Sequence, residues 1–159
     1  MKNLILVIAL LGSSLFTAAQ ERTNEGAQYL RQVQTPLTPK AVVDYQIMAV
    51  EYDVAQSDLF DGRDAPFLVV FRTQKGWIEA SYDWKGEVVE AIERFRNIAL
   101  PNRIIRSGME SYSGWRVIGT NYYVYYVKNR RKRIIYSLLV SDGKKRKKIL
   151  LDVQGRILN

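Results

Sequence analysis

Apolar and polar residues alternate along much of the chain, which is the pattern of β-strands that bury one face. In the stretch 76–82, for example, Ile78, Ala80 and Tyr82 fall on one side, while Trp77 falls on the other with polar residues. Turns containing Asp-Gly or Gly separate such stretches. The predicted strands are residues 66–73, 76–82, 87–95, 115–118, 122–128, 133–140 and 145–153.

Two other stretches have apolar residues near helical spacing, and each follows a proline. After Pro101, Ile105 and Met109 recur at positions i and i+4, which predicts a helix that lies on the sheet. After Pro39 the spacing is less regular, and the β-branched residues of 41–54 are equally compatible with one long strand. Helix and strand are therefore both open for this second stretch.

The same order of elements occurs twice. Each copy has a proline-headed helical segment, then strands, then Asp, two residues, Gly and an aliphatic pair; the turn residues are Asp83 and Gly86 in the first copy and Asp152 and Gly155 in the second. Internal similarity of this kind indicates one supersecondary unit built twice. The predicted fold class is α+β, a tandem repeat of a helix plus antiparallel β-strands with the helices packed on one face of the sheet.

The N-terminal residues have the three parts of a secretory signal peptide. Lys2 precedes an apolar run over residues 4–16, and small residues follow. The run is too short to cross a bilayer, which needs about 20 apolar residues. We predict cleavage near Ala19 or Gln20, a periplasmic or secreted location and no transmembrane anchor after cleavage. The predicted organisation is a signal peptide at 1–20, a flexible lead-in at 21–36 and one domain at 37–159, with repeats at about 37–96 and 97–159.

Composition narrows the possible chemistry. The chain has no Cys and no His, which excludes disulfides, a thiolate nucleophile, an imidazole base and an ordinary zinc site. Asp58, Asp61 and Asp64 recur at every third residue, a poor match to a calcium loop, in which ligands recur at every second residue. We predict no cofactor, no metal and no enzymatic activity, although carboxylates, Lys and Tyr leave an enzyme as a weaker alternative.

Charge is distributed unevenly along the chain. Residues 21–96 contain 9 basic and 13 acidic residues, whereas residues 97–159 contain 14 and 3. Two basic clusters at the predicted hairpin ends of the strand 133–140 account for much of this excess. Such clusters favour an acidic partner or an anionic envelope component, but solvated hairpin ends are the simpler interpretation. The clusters are Arg130, Arg131, Lys132 and Arg133, and Lys144, Lys145, Arg146, Lys147 and Lys148.

A tyrosine-rich strand offers a different candidate surface. Because successive side chains of a strand point to opposite faces, residues 122, 124 and 126 share one face, and Tyr123 and Tyr125 share the other. If the helices cover the first face, Tyr123 and Tyr125 face solvent, and Trp77 extends that surface. Aromatic side chains bury large areas at low entropic cost when a partner binds. Cross-strand aromatic pairing that only stabilises the sheet is the alternative interpretation.

Several of these motifs together resemble the PepSY-like domain family, also described as β-lactamase-inhibitor-protein-like. Members are small exported proteins of Gram-negative bacteria, and the resemblance covers residues 37–159. It implies a tandem helix-plus-antiparallel-strand fold and a non-enzymatic, inhibitor-like or peptide-binding role, and it transfers no catalytic residue. The motifs are Tyr82-Asp83-Trp84-Lys85-Gly86, Glu93, Asn97, Leu100-Pro101, Gly114-Trp115, the tyrosine-rich strand and Asp152-Val153-Gln154-Gly155.

Two hypotheses for function follow from these patterns. The first is a secreted module that binds an unknown, acidic protein or peptide through an open aromatic sheet face carrying Trp77, Tyr123 and Tyr125. The second is an electrostatic binder of an anionic envelope component through the basic hairpin ends. Nucleic acid is not an expected partner of an exported protein.

Overall fold

The chain folds around one antiparallel sheet whose strand order follows the chain order. The computed structural model describes residues 28–57 and 66–158. The strands are β1 (Phe67–Thr73), β2 (Gly76–Tyr82), β3 (Val88–Arg96), β4 (Arg116–Val127), β5 (Arg131–Ser141), β6 (Arg146–Leu151) and β7 (Ile157–Leu158). The helices of the described residues are α1, which is described over residues 28–33, α2 (Lys40–Glu51) and α3 (Asn102–Met109), with a 3₁₀ turn at Val54–Gln56. The predicted α+β class with an antiparallel sheet is confirmed.

One face of the sheet forms the core, and residues of all three helices contact it. Tyr45 of α2 stacks on Phe95 of β3 with 5.7 Å between ring centroids. The Tyr29 ring of α1 meets Tyr126 of β4 edge to face at 5.3 Å. The sheet residues buried on this face are Ile78, Ala80, Tyr82, Ala91, Glu93, Phe95, Tyr122, Val124, Tyr126, Ile134, Tyr136, Leu138, Val140, Ile149 and Leu151.

The sequence left both a helix and a strand open for residues 41–54, and the structure has the helix α2 over Lys40–Glu51. Its buried residues, Val42, Gln46 and Ala49, recur at i, i+4 and i+7, as one face of a helix requires. The middle of these three buried residues, Gln46, is polar, so the apolar spacing of the sequence is interrupted at a buried position. The hydroxyl of Tyr82 donates a hydrogen bond of 2.6 Å to the carbonyl of Ala49 and so fixes the end of α2 on the sheet.

The described part of the predicted flexible lead-in is ordered. Residues 28–33 are helical, and Tyr29 and Val33, one turn apart, are buried. Two buried side chains among several glutamines do not create a periodic apolar pattern, so the sequence alone did not predict this helix. The prediction of a structureless segment is therefore wrong for these residues.

The predicted strands 115–118 and 122–128 are one continuous strand, β4. The pairing of β4 with β5 shifts register between Val117 and Gly119 and then continues along the strand. The residues between the two predicted strands, 119–121, resemble a turn, but they pair with β5 in register. The irregularity lies just before them, at Ile118, as a β-bulge that adds a residue without ending the ladder. The predicted strand 145–153 ends at Leu151, and β7 follows it.

Two turns of the sheet have the same hydrogen bonds. In the turn between β2 and β3, the Asp83 carboxylate accepts from the backbone N–H groups of Lys85 and Glu87. In the turn between β6 and β7, the Asp152 carboxylate accepts from those of Gln154 and Arg156. The glycine three residues after each aspartate has φ of 81° or 84°, a conformation that favours glycine.

Some predictions lie outside the described residues, namely the signal peptide at 1–20 and the aspartates at 58, 61 and 64. Among the helices that the structure describes, none has the length and apolar character needed to span a bilayer.

We expect Gly108→Val to lower the free energy of unfolding by about 2 kcal/mol, because a larger side chain overpacks a filled core. A Cβ at this position of α3 would lie 2.5 Å from Leu138 Cδ1 and 3.3 Å from Leu151 Cδ1. Urea denaturation followed by circular dichroism measures the loss. Arg106→Val, on the exposed side of the same helix, is the matched control and should change stability by less than about 0.5 kcal/mol. Equal stability of the two variants would contradict the close packing of α3.

Candidate functional site

The sheet face opposite the helices carries the predicted aromatic residues, and we call it the open face. Cross-strand pairing aligns Arg72, Trp77, Arg94, Tyr123 and Ile135 in one row across β1 to β5. Neighbouring strands lie about 4.8 Å apart, so adjacent side chains of this row are in contact range. The structure has the alternation that was predicted for the tyrosine-rich strand, because residues 122, 124 and 126 are buried on the side of the sheet that the helices contact.

A shallow groove of about 300 Å³ lies along the middle of the open face. We call it the aromatic groove, since Trp77, Tyr123 and Tyr125 line it together with Ile92 and Ile135. Tyr125 and Ile92 are 38% and 36% exposed, although both are large apolar or aromatic residues in the centre of a sheet. The structure therefore brings together all three residues predicted for partner binding.

A second cavity of about 440 Å³ adjoins this groove. Three arginines line it, Arg72, Arg94 and Arg96, and we call it the arginine pocket. Its other lining residues are Thr73, Gly76, Trp77, Asn121 and Tyr123. Trp77, Arg94 and Tyr123 line both cavities, so the groove and the pocket form one continuous depression.

The arginine pocket is strongly cationic. Within the described residues, no ion pair joins Arg72, Arg94 or Arg96 to a carboxylate. The guanidinium of Arg94 lies 5.5 Å from the ring centroid of Tyr123, a cation–π contact that positions it over the pocket. This arrangement suits binding of an anion with an apolar neighbour better than it suits proton transfer. No group of three acidic side chains that could hold a metal ion occurs in the described part of the chain.

The predicted basic clusters lie at two hairpin ends, with residues 130–133 at the turn from β4 to β5 and residues 144–148 at the turn from β5 to β6. All nine side chains are exposed. The nearest members are Arg133 and Lys148, and Lys148 pairs with Leu139, six residues along β5 from Arg133. About 20 Å therefore separates the two clusters, so they do not form one compact patch. Two members add positive charge to the open face: Arg133 lines the aromatic groove, and Lys148 Nζ lies 5.8 Å from the Tyr123 ring centroid.

Comparisons of the whole chain with known proteins do not identify a function for the open face. No family model matches the chain, and no curated protein or solved structure is significantly similar to it. The resemblance to the PepSY-like family stays a prediction. What the open face does must therefore be inferred from its own side chains.

A buried carboxyl group is the least expected feature of the structure. Glu93 of β3 is 1% exposed and lies on the helix side of the sheet. The hydroxyl of Tyr29 donates to its Oε1 at 2.7 Å, and Nε2 of Gln46 donates to its Oε2 at 2.9 Å. The carboxyl group thus joins α1 and α2 to the centre of the sheet.

Burial favours the protonated form of this carboxyl group. It raises the pKa of Glu93 to about 7, while the hydrogen bonds from Tyr29 and Gln46 oppose the rise. The side-chain oxygen of Gln46 is buried and has no hydrogen-bond partner. A proton on Glu93, with rotation of the Gln46 amide, would create a reciprocal acid–amide pair that satisfies this oxygen.

Sequence reasoning missed Arg72, Arg94 and Arg96 as well as Glu93. Two of the arginines had a local signal, because Arg94 and Arg96 alternate with Ile92 along the chain. That they lie beside Trp77 and Arg72 follows only from the register between strands. Glu93 had no such signal. A glutamate in a strand is usually exposed, and nothing local shows that helices cover it.

We expect stability to decrease as pH rises from about 4.5 to about 7. The folded-state pKa of Glu93, about 7, lies above the ordinary value of 4.5. The contribution of Glu93 to the free energy of unfolding is therefore fully present below pH 4.5, and it is lost as pH rises through the folded-state pKa of about 7. The full effect is about 3 kcal/mol. Urea denaturation at several pH values measures it, and Glu93→Gln should abolish this slope. A slope retained in the Glu93→Gln variant would assign it to another group.

Proposed function

We propose that the protein is a non-enzymatic module that holds a protein or peptide partner on its open face, through Trp77, Tyr123 and Tyr125. The observation that carries this proposal is the continuous depression in which these three side chains lie together. Aromatic residues lose little conformational entropy on binding and bury large areas, which makes them common energetic centres of interfaces. A partner would cover the apolar side chains that the helices leave exposed.

We further infer that residues 37–96 and 97–159 are two copies of one unit with helices on a common side of the sheet. Pro39 and Pro101 precede α2 and α3 with similar backbone angles, φ −59° and ψ 132° against φ −56° and ψ 139°. The matching turns at Asp83 and Asp152 support the same interpretation. The duplicated order also supports the PepSY-like resemblance and its implied binding role.

The partner we propose is acidic and is met outside the cytoplasm. The net positive charge of the chain, +8, and the cations around the open face favour a partner of opposite sign, because complementary charge speeds encounter and fixes orientation. The periplasmic or secreted location rests on the N-terminal sequence pattern. The same location makes nucleic acid an improbable ligand.

The alternative function is electrostatic binding of an anionic envelope component through the hairpin ends. The exposure of all nine basic side chains favours it. Their division between two distant turns argues against one compact site. Attraction between solvated charges falls steeply with ionic strength, whereas burial of aromatic surface does not. Salt dependence therefore distinguishes the two functions.

We expect the double substitution Tyr123→Ser and Tyr125→Ser to weaken partner capture at least tenfold while the protein stays folded, because truncating central aromatic residues removes much of an interface's energy. The measurement is affinity capture from native envelope extract at 150 mM and 500 mM salt, with near-ultraviolet circular dichroism to verify folding.

Trp84→Ser is the matched control for this experiment. Trp84 is 56% exposed but lies in the turn between β2 and β3, so its removal should leave capture unchanged. Capture that survives the tyrosine substitutions but disappears at 500 mM salt would contradict the proposed function and support the hairpin ends instead.

A further inference from the structure

We propose that the arginine pocket is a carboxylate-binding subsite for an acidic peptide whose neighbouring apolar side chain occupies the aromatic groove. The inference rests on the proposed function and specifies its ligand. It assigns a role to Arg72, Arg94 and Arg96, whereas the aromatic residues alone would accept any apolar segment.

The unpaired charge of the pocket supports an anionic ligand. Arg72 and Arg94 flank Trp77 in the same row, so two strand spacings, about 10 Å, separate their backbones. Arg96 follows Arg94 on the same side of β3. Three positive charges this close repel one another, and the described residues provide no carboxylate paired with them. An anion between the guanidinium groups would remove this repulsion and form charge-assisted hydrogen bonds.

Side chains, and not the backbone of the sheet, must provide the polar contacts to a ligand on the open face. In the middle strands, backbone N–H and C=O groups of β2, β3 and β4 pair with neighbouring strands on both sides. A ligand that lies across β2, β3 and β4 therefore cannot be held as an additional strand. Polar contacts must come from side chains such as the arginines and Asn121, which lines the pocket. Arginine forms paired hydrogen bonds with a carboxylate.

The spacing of the two cavities matches a short peptide. Trp77, Arg94 and Tyr123 border both cavities, so a carboxylate in the pocket and an apolar group in the groove would be neighbours on one surface. In an extended peptide, side chains at positions i and i+2 share a face and lie about 6.6 Å apart. The expected ligand is thus a peptide in which Asp or Glu lies two residues from a bulky apolar residue, or in which a bulky apolar C-terminal residue carries the carboxylate.

The same surface is less suited to single-stranded nucleic acid, which also uses arginine and aromatic residues. The Tyr123 ring has two cations near it, the guanidinium of Arg94 at 5.5 Å and the ammonium of Lys148 at 5.8 Å. A base stacking on this ring would compete with those cations. A carboxylate would instead be attracted by them.

Two arrays of random octapeptides, one with amidated and one with free C-termini, test the proposal on the purified full chain. We expect bound peptides to be enriched in Asp or Glu two residues from an aromatic or aliphatic residue. Enrichment confined to the free-terminus array would identify the carboxylate as a C-terminus. Binding of the best peptide is then measured by isothermal titration for the wild-type protein and for variants.

The double variant Arg72→Gln and Arg96→Gln should bind this peptide at least about tenfold more weakly, because two charge-assisted contacts are lost. Arg103→Gln with Arg106→Gln changes the net charge equally on exposed positions of α3 and should bind normally. Thermal denaturation verifies that both variants are folded. Loss of binding in the first variant alone supports the subsite.

Other outcomes would overturn the inference in distinguishable ways. Selection of neutral apolar peptides that bind the two variants equally would remove the carboxylate subsite but keep peptide binding by the open face. No peptide above background on either array would contradict both. Displacement of the best peptide by a single-stranded oligonucleotide at lower concentration than by the acidic peptide itself would assign the surface to nucleic acid.

Discussion

One constraint organises the described part of the molecule: residues of the helices contact the face of a single antiparallel sheet that carries Phe95, Tyr126 and Tyr82, and the other face carries the aromatic groove. Every side chain of the central strands consequently belongs either to a core or to a surface, and the assignment alternates with each residue. Trp77 and Ile78 are neighbours in sequence but lie in these two different environments. The candidate site is thus a product of the fold itself, because the residues that do not build the core are held in register by those that do.

Within the core, the contact of Glu93 with Tyr29 and Gln46 has a role that apolar packing does not have. Apolar contacts are not directional, so helices resting on a flat sheet can slide at little cost. Hydrogen bonds to one carboxyl group specify where α1 and α2 lie on β3. Burial disfavours the ionised carboxyl group more than these hydrogen bonds favour it, and the pKa of Glu93 is therefore raised. The hydrogen bonds position the helices, but the buried carboxylate lowers the free energy of unfolding at neutral pH.

Sequence reasoning recovered the features whose signals are local. Strand alternation located the open aromatic face, and the Asp-Gly pair at 142–143 and the Asp-x-x-Gly spacings at 83–86 and 152–155 located turns. It failed where distant contacts decide the structure. Tyr29 and Val33 of α1 are buried against the sheet, and the turn-like residues near Gly119 continue a strand because β5 lies beside them. Grouping of the three arginines required the register between strands, which one strand's sequence does not contain.

The tyrosine-rich strand has a further consequence for how the chain reaches this structure. The inward residues of β4 are Tyr122, Val124 and Tyr126, and the outward residues are Tyr123, Tyr125 and Val127. The two sets have the same composition, so a slip of one residue would exchange them with almost no change in buried hydrophobicity. The neighbouring strand β5 is less symmetric, because its first three residues are basic and exposed whereas those from Ile134 to Val140 are mostly apolar. The register of β4 is therefore specified by its pairing with β5 more than by its own sequence.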